Sequence, residues 1–231
     1  MNQNLQKVIT IDGPAGAGKS TLARELAKRL TWIYLDTGAL YRAMALTAMK
    51  KNVNCDDQPA CETMAADLNI TAVPEPQGTA ILVDGENVTE LLRSPEVSRQ
   101  ASVISAWPGV RKALLGLQRA LGDKGEVVAE GRDMGTVVFP HAGLKLFLHA
   151  SPEARAKRRY QELTAKGETV SLDEVLRDIV ARDQADRSRA VSPLVAAPDA
   201  VTIDSTNLDI DAVLKVMVKA FRNRFFARNS D

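Results

Sequence analysis

"GPAGAGKS", Gly13 to Ser20, is the stretch of this chain whose residue types and spacing speak most directly of chemistry. It satisfies the pattern GxxxxGK[ST] in full, with Gly13, Pro14, Ala15, Gly16, Ala17 and Gly18 forming the turn. The small residues let the backbone wrap around phosphates with its N–H groups pointing inward, and a helix starting at its end adds partial positive charge. Lys19 is placed to reach the β- and γ-phosphates of a nucleoside triphosphate. The Ser20 hydroxyl is placed to ligate Mg²⁺, with Thr21 beside it. A tight turn with no ligand would need neither a lysine nor a hydroxyl at those positions.

A phosphate-binding loop does not say what the phosphate is used for. A small-molecule kinase, a GTPase-like switch and a motor or other ATPase compete. The NKxD motif of a GTPase is missing. A motor usually brings more chain or a strong Walker B strand ending in aspartate, and the best candidate here, "EVVAE", ends in Glu130. A kinase whose acceptor already carries a phosphate needs arginines, and the chain has them in clusters. Arg42 stands in "DTGALYR" (36–42), with Thr37 able to cap the helix there. Arg132 and Asp133 stand in "EGRDMGT" (130–136), and Arg155, Arg158 and Arg159 in "SPEARAKRR" (151–159). A fourth group lies in "RDQADRSR" (182–189), where helical spacing puts Arg182, Asp186 and Arg189 on one face and leaves Asp183 and Arg187 to solvent. Arginine for phosphate and carboxylate for a sugar hydroxyl suit a phosphorylated sugar.

The elements that must position these residues alternate strand with helix. "KVITID" (7–12), "WIYLD" (32–36), "GEVVAEG" (125–131), "LKLFLHA" (144–150) and "AVTID" (200–204) read as five strands. Helices between them imply a parallel α/β sheet, whose ligands sit at the carboxyl edge of the strands. The first three arginine clusters directly follow such edges. Ser94-Pro95 and Ser151-Pro152 mark helix starts, and Ser171 with Glu174 forms a capping box. The last helix should bury Ile210, Val213, Leu214, Met217 and Phe221, and the closing "RNRFFARNSD" (222–231) should fray. Between the second and third strands, residues 69–92 break the alternation with short β-type runs and Pro, Gly and Asn turns. This is the pattern of a small inserted antiparallel sheet.

Composition excludes several classes. With 30 basic and 29 acidic residues the net charge is +1, too balanced for a general nucleic-acid binder. Cys55 and Cys61 have neither CxxC spacing nor a nearby histidine, so a structural zinc site is not expected; two reduced thiols are. No signal-peptide pattern and no membrane-length apolar run is found, and the Asn69-Ile70-Thr71 and Asn87-Val88-Thr89 triplets read as chance.

Through "TIDGPAGAGKST", "LDTGALYRA", "EGRDMGTVVFP" and "RDQADRSRAVSPL", nearly the whole chain resembles the bacterial-type cytidylate kinases, a nucleoside monophosphate kinase family close to adenylate kinase. The resemblance implies an adenylate-kinase-like P-loop NTPase fold in a single domain, with a five-stranded parallel sheet flanked by helices. Residues 37–107 would form the monophosphate-binding region that carries the inserted sheet, and 152–170 a short helical lid. It implies ATP with Mg²⁺ as donor and CMP or dCMP as acceptor, in a cytoplasmic monomer without nucleic-acid or membrane partners. Lys19, Arg132, Arg158 and Arg189 would be catalytic. Arg42, Arg132 and Arg189 would clamp the CMP phosphate, Arg182 and Asp186 would hold its sugar, and Ser102, Arg111 and Asp133 would read the cytosine, with Thr37 and Tyr41 also in the CMP site. Arg155, Arg158 and Arg159 would close over ATP. Thr37 departs from the serine common in the family, Glu130 from aspartate, and Ser20 from the glycine of some relatives.

Overall fold

The computed structural model describes residues 7–75 and 78–226. Five parallel strands make the central sheet: β1 (Val8–Asp12), β2 (Ile33–Asp36), β6 (Val127–Gly131), β7 (Leu144–His149) and β8 (Val201–Asp204), in the order β2-β6-β1-β7-β8. All five expected strands are present. β1 is buried at every position because it is sandwiched in the middle of the sheet with helices on both faces. Ile9 and Ile11 enter one core with Leu22 and Leu26 of helix α1 (Lys19–Leu30) and Leu214 and Met217 of α8 (Ile210–Phe225). Val8, Val127 and Ala129 face the other core, with Leu40 and Met44 of α2 (Thr37–Lys50) and Leu114 of α5 (Pro108–Gly122).

The expected insertion is also present. Helix α3 (Gln58–Asp67) leads into an antiparallel sheet of β3 (Ile70–Glu75), β4 (Gly78–Val83) and β5 (Glu86–Asn87). Thr79 Oγ1 donates to the carbonyl of Tyr34 at 2.6 Å, tying the insertion to the edge strand β2. The chain returns through a 3₁₀ turn (Thr89–Arg93) and α4 (Pro95–Ile104), capped by Ser94. Beyond β7 come α6 (Pro152–Ala165) and α7 (Leu172–Ser188), joined through Ala156, Leu163, Val175 and Ile179. Ser151 caps α6, and the Ser171–Glu174 capping box opens α7.

Three local expectations are corrected. Asp36, not Thr37, caps α2; its carboxylate accepts from Ala39 N, and Thr37 already lies inside the helix. Ile210, the first residue of α8, is 51% exposed, and the helix buries Val213, Leu214, Met217 and Phe221 without it. Phe225 does not fray: it stacks edge-on against Trp32 with ring centroids 5.9 Å apart. Residues 227–231 of that tail lie outside the described residues.

Candidate active site

The loop between β1 and α1 is built around two backbone constraints. Gly13 has φ +151°, and a Cβ there would lie 1.9 Å from the carbonyl oxygen of Leu148. Any side chain would push the loop off β7. Gly16, at φ +73°, adopts a conformation that L side chains rarely take. Lys19 folds back so that its Nζ donates to the carbonyl of Pro14 at 2.8 Å. Burial and the neighbouring Arg132 lower its pKa to about 7. Ser20 and Thr21 are exposed at the start of α1.

Opposite Lys19, Glu130, the last residue but one of β6, is almost fully buried and accepts from the hydroxyl of Tyr34, with the Ser20 hydroxyl beside it. Burial and nearby Asp36 raise its pKa. Ser20 and the carboxylate of Glu130 are hard oxygen donors, the type that Mg²⁺ takes. Among the described residues no cluster of three or more acidic, cysteine or histidine side chains could hold a metal by itself.

The arginines converge beside this pair. Asp186 of α7 accepts from Arg132 Nε at 2.8 Å and pairs with Arg189 Nη2 at 2.5 Å. Although burial opposes it, these two cations hold the Asp186 carboxyl below its usual range. Arg182, one turn earlier, is pushed down to about 10 by burial and by Arg132, with Arg189 and Arg42 adding to it. Its Nε is buried without a hydrogen-bond partner. Arg42 is anchored by Asp36 at 2.7 Å. Four arginines and Lys19 thus share three carboxylates, Asp36, Glu130 and Asp186, at the strand edge. Such a cluster is unfavourable until an anion joins it. Arg189 lies just past the end of α7 as its C-cap, yet reaches Asp186 as the helical spacing implied; Arg187 is exposed.

At the far side Arg111 and Asp133 form a buried ion pair in a tight hydrogen bond. Arg111 Nη1 also donates to the carbonyl of Ser105 at 2.9 Å and stacks over the Tyr41 ring at 5.3 Å. Ser102 is half-buried on the same end of α4, and its carbonyl accepts from the Ser105 hydroxyl. Thr37 Oγ1 donates to the carbonyl of Glu130 at 2.6 Å, so it braces α2 on β6. Arg158 is turned to the Ser205 carbonyl at 2.5 Å, and Arg159 pairs at the surface with Glu162 at 3.1 Å.

Two side chains lie elsewhere than the sequence suggested. Arg155 does not extend over the triphosphate loop. It is 1% exposed, and its guanidinium lies beneath that loop on the Ala15 carbonyl. Asp183 is not solvated; it is the buried partner of Arg155 at 2.5 Å. Both surprises have one cause, the packing of α6 against α7. The sequence reading also missed Asp36, Ser105 and Asp12. Asp12 accepts from the backbone N–H groups of Met134 and Gly135 at 2.8 and 2.7 Å, and burial raises its pKa to about 6. Its place just before the glycine loop was a signal for it; Ser105 carried none.

A triphosphate loop facing an arginine cluster across the carboxyl edge of a parallel sheet defines a P-loop phosphotransferase. Residues 9–223 match the family model described as cytidylate kinase. The cytidylate kinase of Syntrophotalea carbinolica is 48% identical over 221 residues, 96% of this chain and 94% of that protein. That of Pasteurella multocida is 49% identical over 207 residues, 90% and 91% of the two chains. A shikimate kinase from Bacteroides thetaiotaomicron aligns at TM-score 0.47 and 14% identity over 93% of this chain and 98% of that one. The chain belongs to the cytidylate kinase family.

Proposed function

We propose that this chain transfers the γ-phosphoryl group of ATP to CMP and dCMP, yielding ADP and CDP or dCDP. The observation that carries the reading is the Arg111–Asp133 pair beside the Arg42, Arg132, Arg182 and Arg189 cluster. The cluster suits a phosphate acceptor. Asp133, oriented by Arg111, suits the base: cytosine offers an N4 amino donor, whereas uracil presents an acceptor there. A buried carboxylate facing uracil would lose its bond, and sites of this kind reject the mismatched analogue strongly. Ser102 lies at the same corner, Tyr41 supports Arg111, and Arg182 with Asp186 suits the sugar.

The acceptor phosphate is ionised at neutral pH, so the transfer needs no general base. Residues 13–21 hold the donor, and Lys19 spans its phosphates. Arg132 and Arg189 neutralise the charge that spreads over the transferring group. Ser20 would hold Mg²⁺, which supplies further charge neutralisation when bound. Arg158 and Arg159, on the helix opening the 152–170 lid, would swing from Ser205 and Glu162 to the triphosphate and exclude water. Residues 37–107 would move with the monophosphate. The described residues hold no helix long and apolar enough to cross a membrane. We take the working state to be a cytoplasmic monomer, which sedimentation would test.

The deciding experiment is a coupled ADP-release assay with Mg-ATP against CMP, dCMP, UMP, AMP, GMP and no acceptor. Turnover with CMP and dCMP well above UMP is expected. A different preferred monophosphate would remove the Asp133 assignment, and acceptor-independent hydrolysis would remove the kinase reading.

A further inference from the structure

Among the described residues the largest fully buried side chain is a charged one, Arg155, in the first turn of α6. Its Nε donates to the carbonyl of Ala150 at 2.9 Å. Its two terminal nitrogens grip Asp183 of α7 bidentately, at 2.9 and 2.5 Å. Nη1 also donates to the Ala15 carbonyl, in the middle of the triphosphate loop, at 3.0 Å. A buried ion pair is weak support for stability, because desolvation offsets most of the attraction. What this pair does supply is direction.

In a trans peptide the carbonyl oxygen and the following N–H point to opposite sides. No described peptide bond is cis. Holding the Ala15 oxygen down on the guanidinium therefore aims the N–H of Gly16 the other way, up into the hollow where donor phosphates would lie. Gly16 leaves room for this: a Cβ there would come within 3.3 Å of the Arg155 Cβ. The other end of the clamp is Asp183. It neighbours Arg182 and lies one turn before Asp186, the carboxylate held by Arg132 and Arg189. One guanidinium thus joins the donor loop to the helix that carries acceptor groups.

We infer that Arg155 and Asp183 are positioning residues that set the Ala15–Gly16 peptide for donor phosphate and tie it to α7, so that each site depends on the other's half of the clamp. The inference rests on the kinase reading above. Its mark is a crossed effect. Asp183→Asn, on the acceptor helix, should weaken a non-hydrolysable ATP analogue by about five- to tenfold in calorimetry, a typical coupling between sites. Arg155→Lys, beneath the donor loop, should raise KM for CMP by a similar factor. Asp183→Glu, which keeps the charge, should restore much of the affinity lost in Asp183→Asn, and it replaces that variant if the amide does not fold. If Arg155→Lys loses donor affinity while Asp183→Asn keeps it, Arg155 is an ATP ligand and the inference falls. If both variants melt lower with donor Kd and CMP KM unmoved, the pair is structural and the inference falls again. The donor arm needs no acceptor, so it stands apart from the assay that tests CMP as substrate.

Discussion

Asp186 holds two arginines, and a third stands one helical turn away without a partner for its Nε. The arrangement leaves positive charge in excess until an anion arrives, and sets the residue-scale expectations. Arg132→Ala and Arg189→Ala should each lower kcat/KM for CMP by about 100-fold or more, the usual loss for a donor aimed at developing charge. Arg187→Ala, an exposed neighbour on the same stretch, should change it by less than about threefold, as isolated surface charges do. Steady-state kinetics of the three variants checks this; equal losses would mean that the helix face is not the site. Lys19 adds a pH dependence. Its pKa near 7 in the free protein reflects burial and Arg132, so at pH 8 much of it is neutral. Donor phosphates bring negative charge and raise that pKa, so binding must take up a proton. Calorimetry of an ATP analogue at pH 8, repeated in buffers of different ionisation enthalpy, should show net uptake, and Lys19→Ala should abolish both the uptake and the transfer.

At the scale of elements, strand ends and helix caps aim these side chains. The Ser171 hydroxyl accepts from Glu174 N at 3.2 Å while the Glu174 carboxylate accepts from Ser171 N at 2.9 Å. The first-turn carboxylates of Asp173 and Glu174 complement the helix dipole. Ser171→Ala should therefore lower stability by about 1 kcal/mol, seen as a melting point about 2–4 °C lower in a chain of this size. α7 illustrates how much of an element is legible. Its start was readable from Ser171 and Glu174, and its site face from the spacing of Arg182 and Asp186. Its opposite face was misread, because mixed charge suggested solvent at Asp183. α6 shows the same division: the Ser151-Pro152 start was plain, while the partner of Arg155 was not.

For the whole molecule, two clusters of core flank one sheet, and in the proposed function the monophosphate region and lid close over its edge. Ligands that bind the folded state alone raise its stability. CMP at about 100 times its Kd should add about 2.7 kcal/mol and raise the melting point by about 5–10 °C. UMP at the same concentration should raise it far less. Thermal melts with each monophosphate check this, and equal shifts would separate phosphate binding from reading of the base.

The five strands, the inserted sheet, the caps and the triphosphate loop were determined by the sequence itself, because each rests on neighbours along the chain: apolar period, turn residues, a hydroxyl before a helix. Three arginine clusters were legible for a related reason, since they follow strands whose carboxyl edges share one side of a parallel sheet, and the fourth was legible from helical spacing. Which charge meets which was decided only by tertiary structure. Arg155 finds Asp183 across 28 residues and Ala15 across 140, and Arg111 finds Asp133 across 22. No local pattern encodes such pairs. Burial makes an unpaired charge intolerable, so each partner is chosen by the packing of whole helices, α6 on α7 and α5 beside β6.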